Sequence, residues 1–566
     1  MCKLPKKNSQ KQRFQQSGVA LILMAVILAL AAATYAIKVF NVSSMQARQD
    51  AEASTILANA KATLLGYTFG RVGGGERPGN MPIPDYFAAT EVPVNYDGSA
   101  DGGCMDSTQA NGLPLVSIGS NMSCLGRLPW QTIGMAIQNP SQNDPLGVMP
   151  WYAVSANLVD TTCFTALNPS ILNATTCSGG ALLHPWLTVR DSKGNIISNR
   201  VAIVLILPNQ PLGSQTRPSL PLGDVTNYLD SVVVPVGCAA PCVPGPYSNA
   251  DFDNDFIMAS GLTSTNSDQN DQNLASTIND KILFITIDEF MVELTKRAAG
   301  EARLVLNGYK SSNGLFPYAA PLGSSGSNFI FSATSATGML PIDGTDKCVC
   351  ASSTNCTCGY GLVNSVAHTR TSGGNYTIQS GLCVISSRKC TCTGDGQCRN
   401  ASASRKFTCA SGNCSFSGSG ASQLFTYTPR STHGNIASAS SGCTLTSSNA
   451  TCNASGSFYV GLNVLTWFKT NLWQDYFYYH QSTTSNITVG ADAVSALIIG
   501  VGATLPTLAT PTVYAYKGAA QSRPSANEND YLDSAVNVTG KSNKLYDAIG
   551  TLRTGNYNDQ MFIVAP

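Results

Sequence analysis

Histidine is almost missing from this 566-residue chain: there are four, His184, His368, His433 and His480, in unrelated contexts. Charged residues make up only 12% of it. It holds no G-x-S-x-G, no H-E-x-x-H and no Walker loop, so the signatures of serine hydrolases, zinc peptidases and P-loop nucleotidases are absent. An enzyme is therefore not expected. The sequence leaves paired carboxylates open, because any two of 33 acids could meet in the fold. A basic surface is lacking too. Five of the 34 bases (Lys3, Lys6, Lys7, Lys11 and Arg13) lie in the first seventeen residues, leaving 29 bases against 33 acids. Nucleic acid is not an expected partner.

A second long hydrophobic run is also absent. The single one, Gly18–Ile37, has twenty residues with Thr34 as its polar interruption and follows a leader without acids. A helix needs about 20 apolar residues to cross a ~30 Å hydrocarbon layer. The run therefore predicts one membrane passage, basic leader cytoplasmic and the rest on the far side. A cleaved signal ending near Ala31-Ala32-Ala33 and a plain signal-anchor are the alternatives. From Asn41 to Leu65 there is neither proline nor glycine, and Ile56, Leu57, Ala60 and Leu64 recur at helical spacing. The expectation is one helix over 19–66, its membrane part at 19–40.

Cysteine usage agrees with an oxidising far side. Cys2 lies in the leader, and the other eighteen are an even number. Twelve crowd one stretch: Cys348, Cys350, Cys356, Cys358, Cys383, Cys390, Cys392, Cys398, Cys409, Cys414, Cys443 and Cys452. Without C-x₂-C spacing, disulfide staples are a better reading than a metal site. Gly, Ser, Thr and Asn are abundant, as suits β-rich extracellular domains, and the length calls for more than one domain.

One plan occurs twice. Gly66-Tyr67 and Gly308-Tyr309 each end a predicted helix, and a proline-marked turn, an aromatic cluster and a buried-type strand follow. Then Gln215-Thr216-Arg217-Pro218 leads to Asn227-Tyr228-Leu229-Asp230-Ser231, as Gln521-Ser522-Arg523-Pro524 leads to Asp530-Tyr531-Leu532-Asp533-Ser534. Both copies close on Asn-Asp and an apolar strand, at Asn279-Asp280 and Asn558-Asp559. The second copy is longer by the cysteine-rich stretch, which reads as an insertion at about 340–455. The second helix is predicted near Asp288–Asn307, with Asp288 as N-cap and Phe290, Met291, Leu294 and Leu304 facing the core.

Gln16-Ser17-Gly18, followed abruptly by Val19-Ala20-Leu21-Ile22-Leu23, resembles the class III leader of type IV pilins and type II secretion pseudopilins. That resemblance implies cleavage between Gly18 and Val19 by a prepilin peptidase, methylation of the new terminus, and other pilins or pseudopilins as partners. Leu23 stands where major pilins carry a glutamate, which resembles the large minor pseudopilin at a filament tip. Met81-Pro82-Ile83-Pro84-Asp85, Gly126-Arg127-Leu128-Pro129-Trp130 and Pro150-Trp151-Tyr152 further resemble an uncharacterised prepilin-like group of Gram-negative bacteria.

The expected fold class is thus α+β: a long N-terminal transmembrane and amphipathic helix, then two related helix-plus-antiparallel-sheet modules, 67–286 and 287–566, behind a leader at 1–18. The expected function is a minor pilin or pseudopilin in the inner membrane, its head periplasmic or on a filament, acting in assembly, adhesion or secretion. An anchored receptor or adhesin outside any filament is the second reading, an anchored hydrolase the third. No resident cofactor is expected. Calcium is the candidate ion, at Asp97, Ser99 and Asp101 or at Asp251, Asp253 and Asp255, where oxygen ligands alternate along the chain; the resemblance to a calcium-binding tip pseudopilin adds to this. Trp467, Trp473, Tyr476 and Tyr478 are the candidate binding platform, with sheet core as the competing reading.

Overall fold

The computed structural model describes Met24, Leu28 and Arg48 and, with interruptions, residues 50–85, 98–100, 124–136, 149–258, 278–506 and 520–566. Residues 50–70 form a helix that lies on the folded body by one face. Leu57, Ala60 and Leu64 are buried while Glu52, Thr55, Ala58, Asn59 and Ala62 stay exposed, the three-to-four spacing of an amphipathic helix. Lys61 reaches Glu289 at 2.5 Å and Lys281 reaches Asp50 at 2.7 Å, two partly buried pairs that tie the helix to the body.

The second long helix, Ile287–Asn313, lies beside the first, with the rings of Phe69 and Phe290 5.2 Å apart. Its N-cap is Thr286, whose hydroxyl accepts from the Glu289 amide at 3.1 Å, not Asp288. Asp288 and Glu289 occupy the first turn and Lys310 the last, matching the helix dipole, and Gly314 closes it at φ +80°. Phe290, Leu294, Ala298, Ala302, Leu306 and Tyr309 face the core. Leu304 does not: it is 69% exposed, because it falls a residue out of step with that row.

Two sheets flank these helices. In the first, the order is Cys124–Arg127, Trp151–Val154, Ile196–Leu207, Leu187–Arg190 and Asp255–Ile257, and Lys281–Thr286 also pairs with Ile196–Leu207. In the second it is Gln560–Ala565, Ala496–Gly500, Phe477–Gln481 and Thr337–Met339. The central strands read as unbroken apolar runs, Val201–Leu207 and Ala496–Gly500, because both of their faces are covered. One core gathers Leu57 and Leu64 from the first helix, Phe290 and Leu294 from the second, Ile203 from the first sheet and Ile498 from the second. Another cluster, with Trp151, Val204, Ile206, Tyr228 and Phe256, covers the far face of the first sheet.

This architecture overturns the expected fold class. The described residues are rich in strands, and none of their helices is long and apolar enough to cross a membrane. The two halves are not separate helix-plus-antiparallel-sheet modules, since one core runs through both. Nor are the sheets purely antiparallel: Leu187–Arg190 pairs parallel with Asp255–Ile257, and Ile487–Val489 with Leu545–Tyr546. The predicted membrane stretch at 19–40 lies outside the described residues apart from Met24 and Leu28. The cysteine-rich stretch is built of strands. Its strands form an eight-stranded and a six-stranded sheet, because alternating Thr, Ser and Cys can sustain ladder hydrogen bonds with little apolar surface.

The eight-stranded sheet meets the core through Gly456–Leu462. Leu462 donates to the Ile342 carbonyl at 3.2 Å, and a Cβ on Gly461 would stand 2.1 Å from that same oxygen. Gly461→Ala is therefore expected to lower stability by about 1–3 kcal/mol, the usual cost of overpacking, read as a shift of the urea midpoint.

Candidate functional site

The repeated sequence motif builds a repeated polar knot. Arg217 donates through Nε to the Asn227 carbonyl at 2.8 Å and through Nη2 to the Tyr228 carbonyl at 2.8 Å and Gln215 Oε1 at 3.1 Å. Arg523 donates through Nε to the Asp530 carbonyl at 2.5 Å, and through Nη1 to that of Gly502 at 2.8 Å. Its Nη2 serves the Val501 carbonyl at 3.0 Å, Gln521 Oε1 at 3.2 Å and the Tyr531 carbonyl at 3.3 Å. Each glutamine amide then reaches an aspartate: Gln215 to Asp230 Oδ1 at 3.1 Å, Gln521 to Asp533 Oδ1 at 2.9 Å.

Those aspartates pair with the closing Asn-Asp. The Asp230 amide donates to Asp280 Oδ2 at 2.8 Å, and the Asn279 amide back to Asp230 Oδ2 at 2.6 Å. The Asp533 amide donates to Asp559 Oδ2 at 2.9 Å, and the Asn558 amide back to Asp533 Oδ2 at 2.7 Å. All four carboxyls are buried. Burial, and then the charge of the paired acid, hold Asp280 and Asp559 well above the usual carboxylate range. Asp280 Oδ1 and Asp559 Oδ1 are both buried without a hydrogen-bond partner. These knots tie loop, turn and strand together in both halves.

One knot opens onto a cavity of about 210 Å³. Its wall combines Ser170 and Asn173, Ser324 and Ser325, Asp475 and Tyr476, Thr504, and Arg523, Pro524 and Tyr531. Two short 3-10 turns, Pro169–Asn173 and Trp473–Tyr476, supply much of it. They are locked together by Asn471, whose Oδ1 accepts from the Leu167 amide at 2.7 Å and whose carbonyl accepts from Asn168 Nδ2 at 2.8 Å. Burial, and secondarily the Asp343 charge, raise Asp475 to about 6. Its Oδ1 is buried without a hydrogen-bond partner. Burial raises Tyr476 also, against the opposing pull of a bond to Ser170.

Of the aromatic candidates, Trp467, Trp473 and Tyr478 are buried, so they make core and not an exposed platform. Tyr476 alone reaches the cavity. His480 is buried, with Nδ1 2.8 Å from the Tyr546 hydroxyl, and burial, then Lys544, lower it to about 4. It stays neutral at physiological pH. Gly18, Val19, Asp97 and Asp101 lie outside the described residues, while Ser99 is described and half-buried.

Asp251 and Asp253 lie in the turn leading into the strand that begins at Asp255. The Asp253 amide donates to Asp251 Oδ1 at 3.4 Å, the Asp255 amide to Asp253 Oδ1 at 2.7 Å, and Arg190 reaches Asp255 at 3.3 Å. Partial burial, then the charges of Asp251 and Asp255, raise Asp253 to about 7. An oxygen-seeking cation fits this donor set in kind, but each carboxylate already serves a protein partner.

Cys163 bonds to Cys177 and Cys443 to Cys452, and Cys124, Cys348 and Cys350 are also in disulfides. The sulfurs of Cys350, Cys443 and Cys452 lie within 4.8 Å of one another. As disulfide sulfurs they offer no thiolate, so this trio does not fit a metal. The remaining cysteines of the rich stretch, Cys356, Cys358, Cys383, Cys390, Cys392, Cys398, Cys409 and Cys414, sit in its strands.

Sequence reasoning missed Asp475 and the cavity; the available signal was a lone acid inside the aromatic run Trp473–Tyr479. No family model, curated protein or solved structure matches this chain.

Proposed function

We propose that this chain is a minor pilin- or pseudopilin-like subunit, tethered in the bacterial inner membrane by its N-terminal apolar run. The body faces the periplasm or the cell surface and acts in filament assembly, adhesion or secretion. The observation that carries the reading is the 50–70 helix. It buries Leu57, Ala60 and Leu64 in the body and leaves an outer face of Ser54, Thr55, Ala58, Asn59, Ala62 and Gly66, small residues with Glu52 as the charge among them, against which a neighbouring helix could pack closely. The leader ending at Gly18 supports it from the sequence, and the disulfides support an oxidising compartment.

Intact-mass measurement of the purified mature protein is expected to show a chain beginning at a methylated Val19. A chain that retains Met1–Gly18 overturns the prepilin reading and leaves a simple anchor. The cavity beside Asp475 is the observation that favours the second reading, an anchored receptor or adhesin. Co-purification with sheared filaments separates the two: a subunit travels with them, a lone receptor stays with the membrane.

A further inference from the structure

The two sheets of the cysteine-rich stretch meet at three sulfurs. Cys350 belongs to Asp346–Ser352 of the eight-stranded sheet. Cys443 and Cys452 stand opposite each other on two neighbouring strands of the six-stranded sheet and are bonded together. All three sulfurs lie within 4.8 Å of one another. Cys350 is itself in a disulfide, and because Cys443 and Cys452 hold each other, its partner lies outside the trio.

A glycine permits this approach. Gly456 is the residue opposite Cys350 on Gly456–Leu462, and a Cβ there would stand 3.0 Å from Cys443 Sγ and 3.0 Å from Gly442 Cα. Any side chain at 456 would press on the Cys443 sulfur from the sheet that carries Cys350. Cys350 is 1% exposed and Cys452 0%, so a thiol in solution does not reach either. Disulfides exchange when a thiolate attacks one sulfur of the bond, and Cys350 is the third sulfur already inside. We propose that Cys350 is an exchange relay, which turns the Cys443–Cys452 disulfide into Cys350–Cys452 once a small thiol opens the bond that Cys350 makes now.

The exchange needs no oxidant or reductant. A thiolate of the glutathione class attacks the sulfur bonded to Cys350, a mixed disulfide forms there, and Cys350 leaves as a thiolate. Cys350 then attacks Cys452 Sγ. The Cys443–Cys452 bond breaks, and Cys443 leaves as a thiolate that takes up the proton lost by the small thiol. Two disulfides exist before and two after. The geometry of the staple changes: Cys443–Cys452 closes one hairpin across nine residues, whereas Cys350–Cys452 joins the two sheets covalently. Small thiols in the surroundings would thereby set how this stretch is stapled. The inference stands on the trio and its glycine and does not require the filament reading.

The test treats the folded full chain, in detergent micelles, with glutathione at pH 8. Samples are quenched in acid, free thiols are alkylated, and the linkages are mapped by peptide mass spectrometry. A Cys350–Cys452 linkage with Cys443 alkylated is expected, absent before glutathione is added. Gly456→Ala keeps every cysteine and is expected to slow its appearance about tenfold, because the added methyl displaces the Cys443 sulfur. Cys350→Ala is expected to leave Cys443–Cys452 intact under conditions that exchange it in the wild type. The wild-type map tests the proposal even if either variant misfolds. A wild-type map without Cys350–Cys452 overturns it, as does an undiminished rate in folded Gly456→Ala. So does glutathione attached directly to Cys443 or Cys452 in folded Cys350→Ala, at the rate at which the wild-type bond opens.

Discussion

Arg523→Met is expected to lower the stability of the folded body by about 3–5 kcal/mol, the range for removing one partner of a buried ionic network. The side chain satisfies four backbone carbonyls and Gln521 Oε1, so its loss takes a donor from four carbonyls together, while Gln521 Oε1 keeps the Leu505 amide at 2.9 Å. It also removes the cation that faces Asp533 and Asp559. Arg523→Lys should recover little, since one ammonium cannot span the fork that the guanidinium fills. Urea denaturation followed by tryptophan fluorescence reads this out through Trp467 and Trp473, both packed nearby in the same core. A midpoint within experimental scatter of the wild type would falsify the knot as a structural joint.

The paired acids predict an unusual pH profile. Asp280 and Asp559 are held above their unfolded pKa, so the folded chain binds more protons than the unfolded one between the two values. Stability contributed by these groups is therefore full at low pH and is lost as pH rises from the ordinary carboxylate range toward the raised one. The same arrangement occurs in both halves, so the two pairs act in the same direction. Asp280→Asn with Asp559→Asn should flatten the decline and leave the doubly substituted chain the more stable at pH 8. The Asn side chains keep an oxygen for the amides of Asp230 and Asp533. Thermal melts from pH 5 to 8 decide it: parallel curves for the two proteins would remove the raised carboxyls as the cause.

Much of the local structure was legible because it depends on spacing. Apolar periodicity at Ile56, Leu57, Ala60 and Leu64 marks the part of the expected 19–66 helix that is seen at 50–70. Phe290, Met291 and Leu294 mark the core face of the second helix, and apolar runs mark the strands Val201–Leu207 and Ala496–Gly500, the latter expected over Ala493–Val501. The repeated Gln-x-Arg-Pro motif carried its own meaning, since the same side chains make the same bonds in both halves. Leu304 misled because hydrophobicity was weighed ahead of its phase on the helix. The aromatic run misled differently: composition cannot distinguish an exposed platform from a core, and Trp473 and Tyr478 went inside. Asp475 was invisible as a site because its significance depends on Ser324, Thr504 and Arg523, far away along the chain.

The sequence by itself determined what depends on near neighbours: helix faces, buried strands, a stretch too poor in apolar residues to pack without staples, and the repeated motif. Tertiary structure alone decided that both halves share one core, that the cysteine-rich stretch pairs into sheets, and that the Arg523 knot borders a cavity. The reason is physical. Periodicity is written in residues a few positions apart, whereas a cavity and the pairing of its charges arise where distant segments happen to pack.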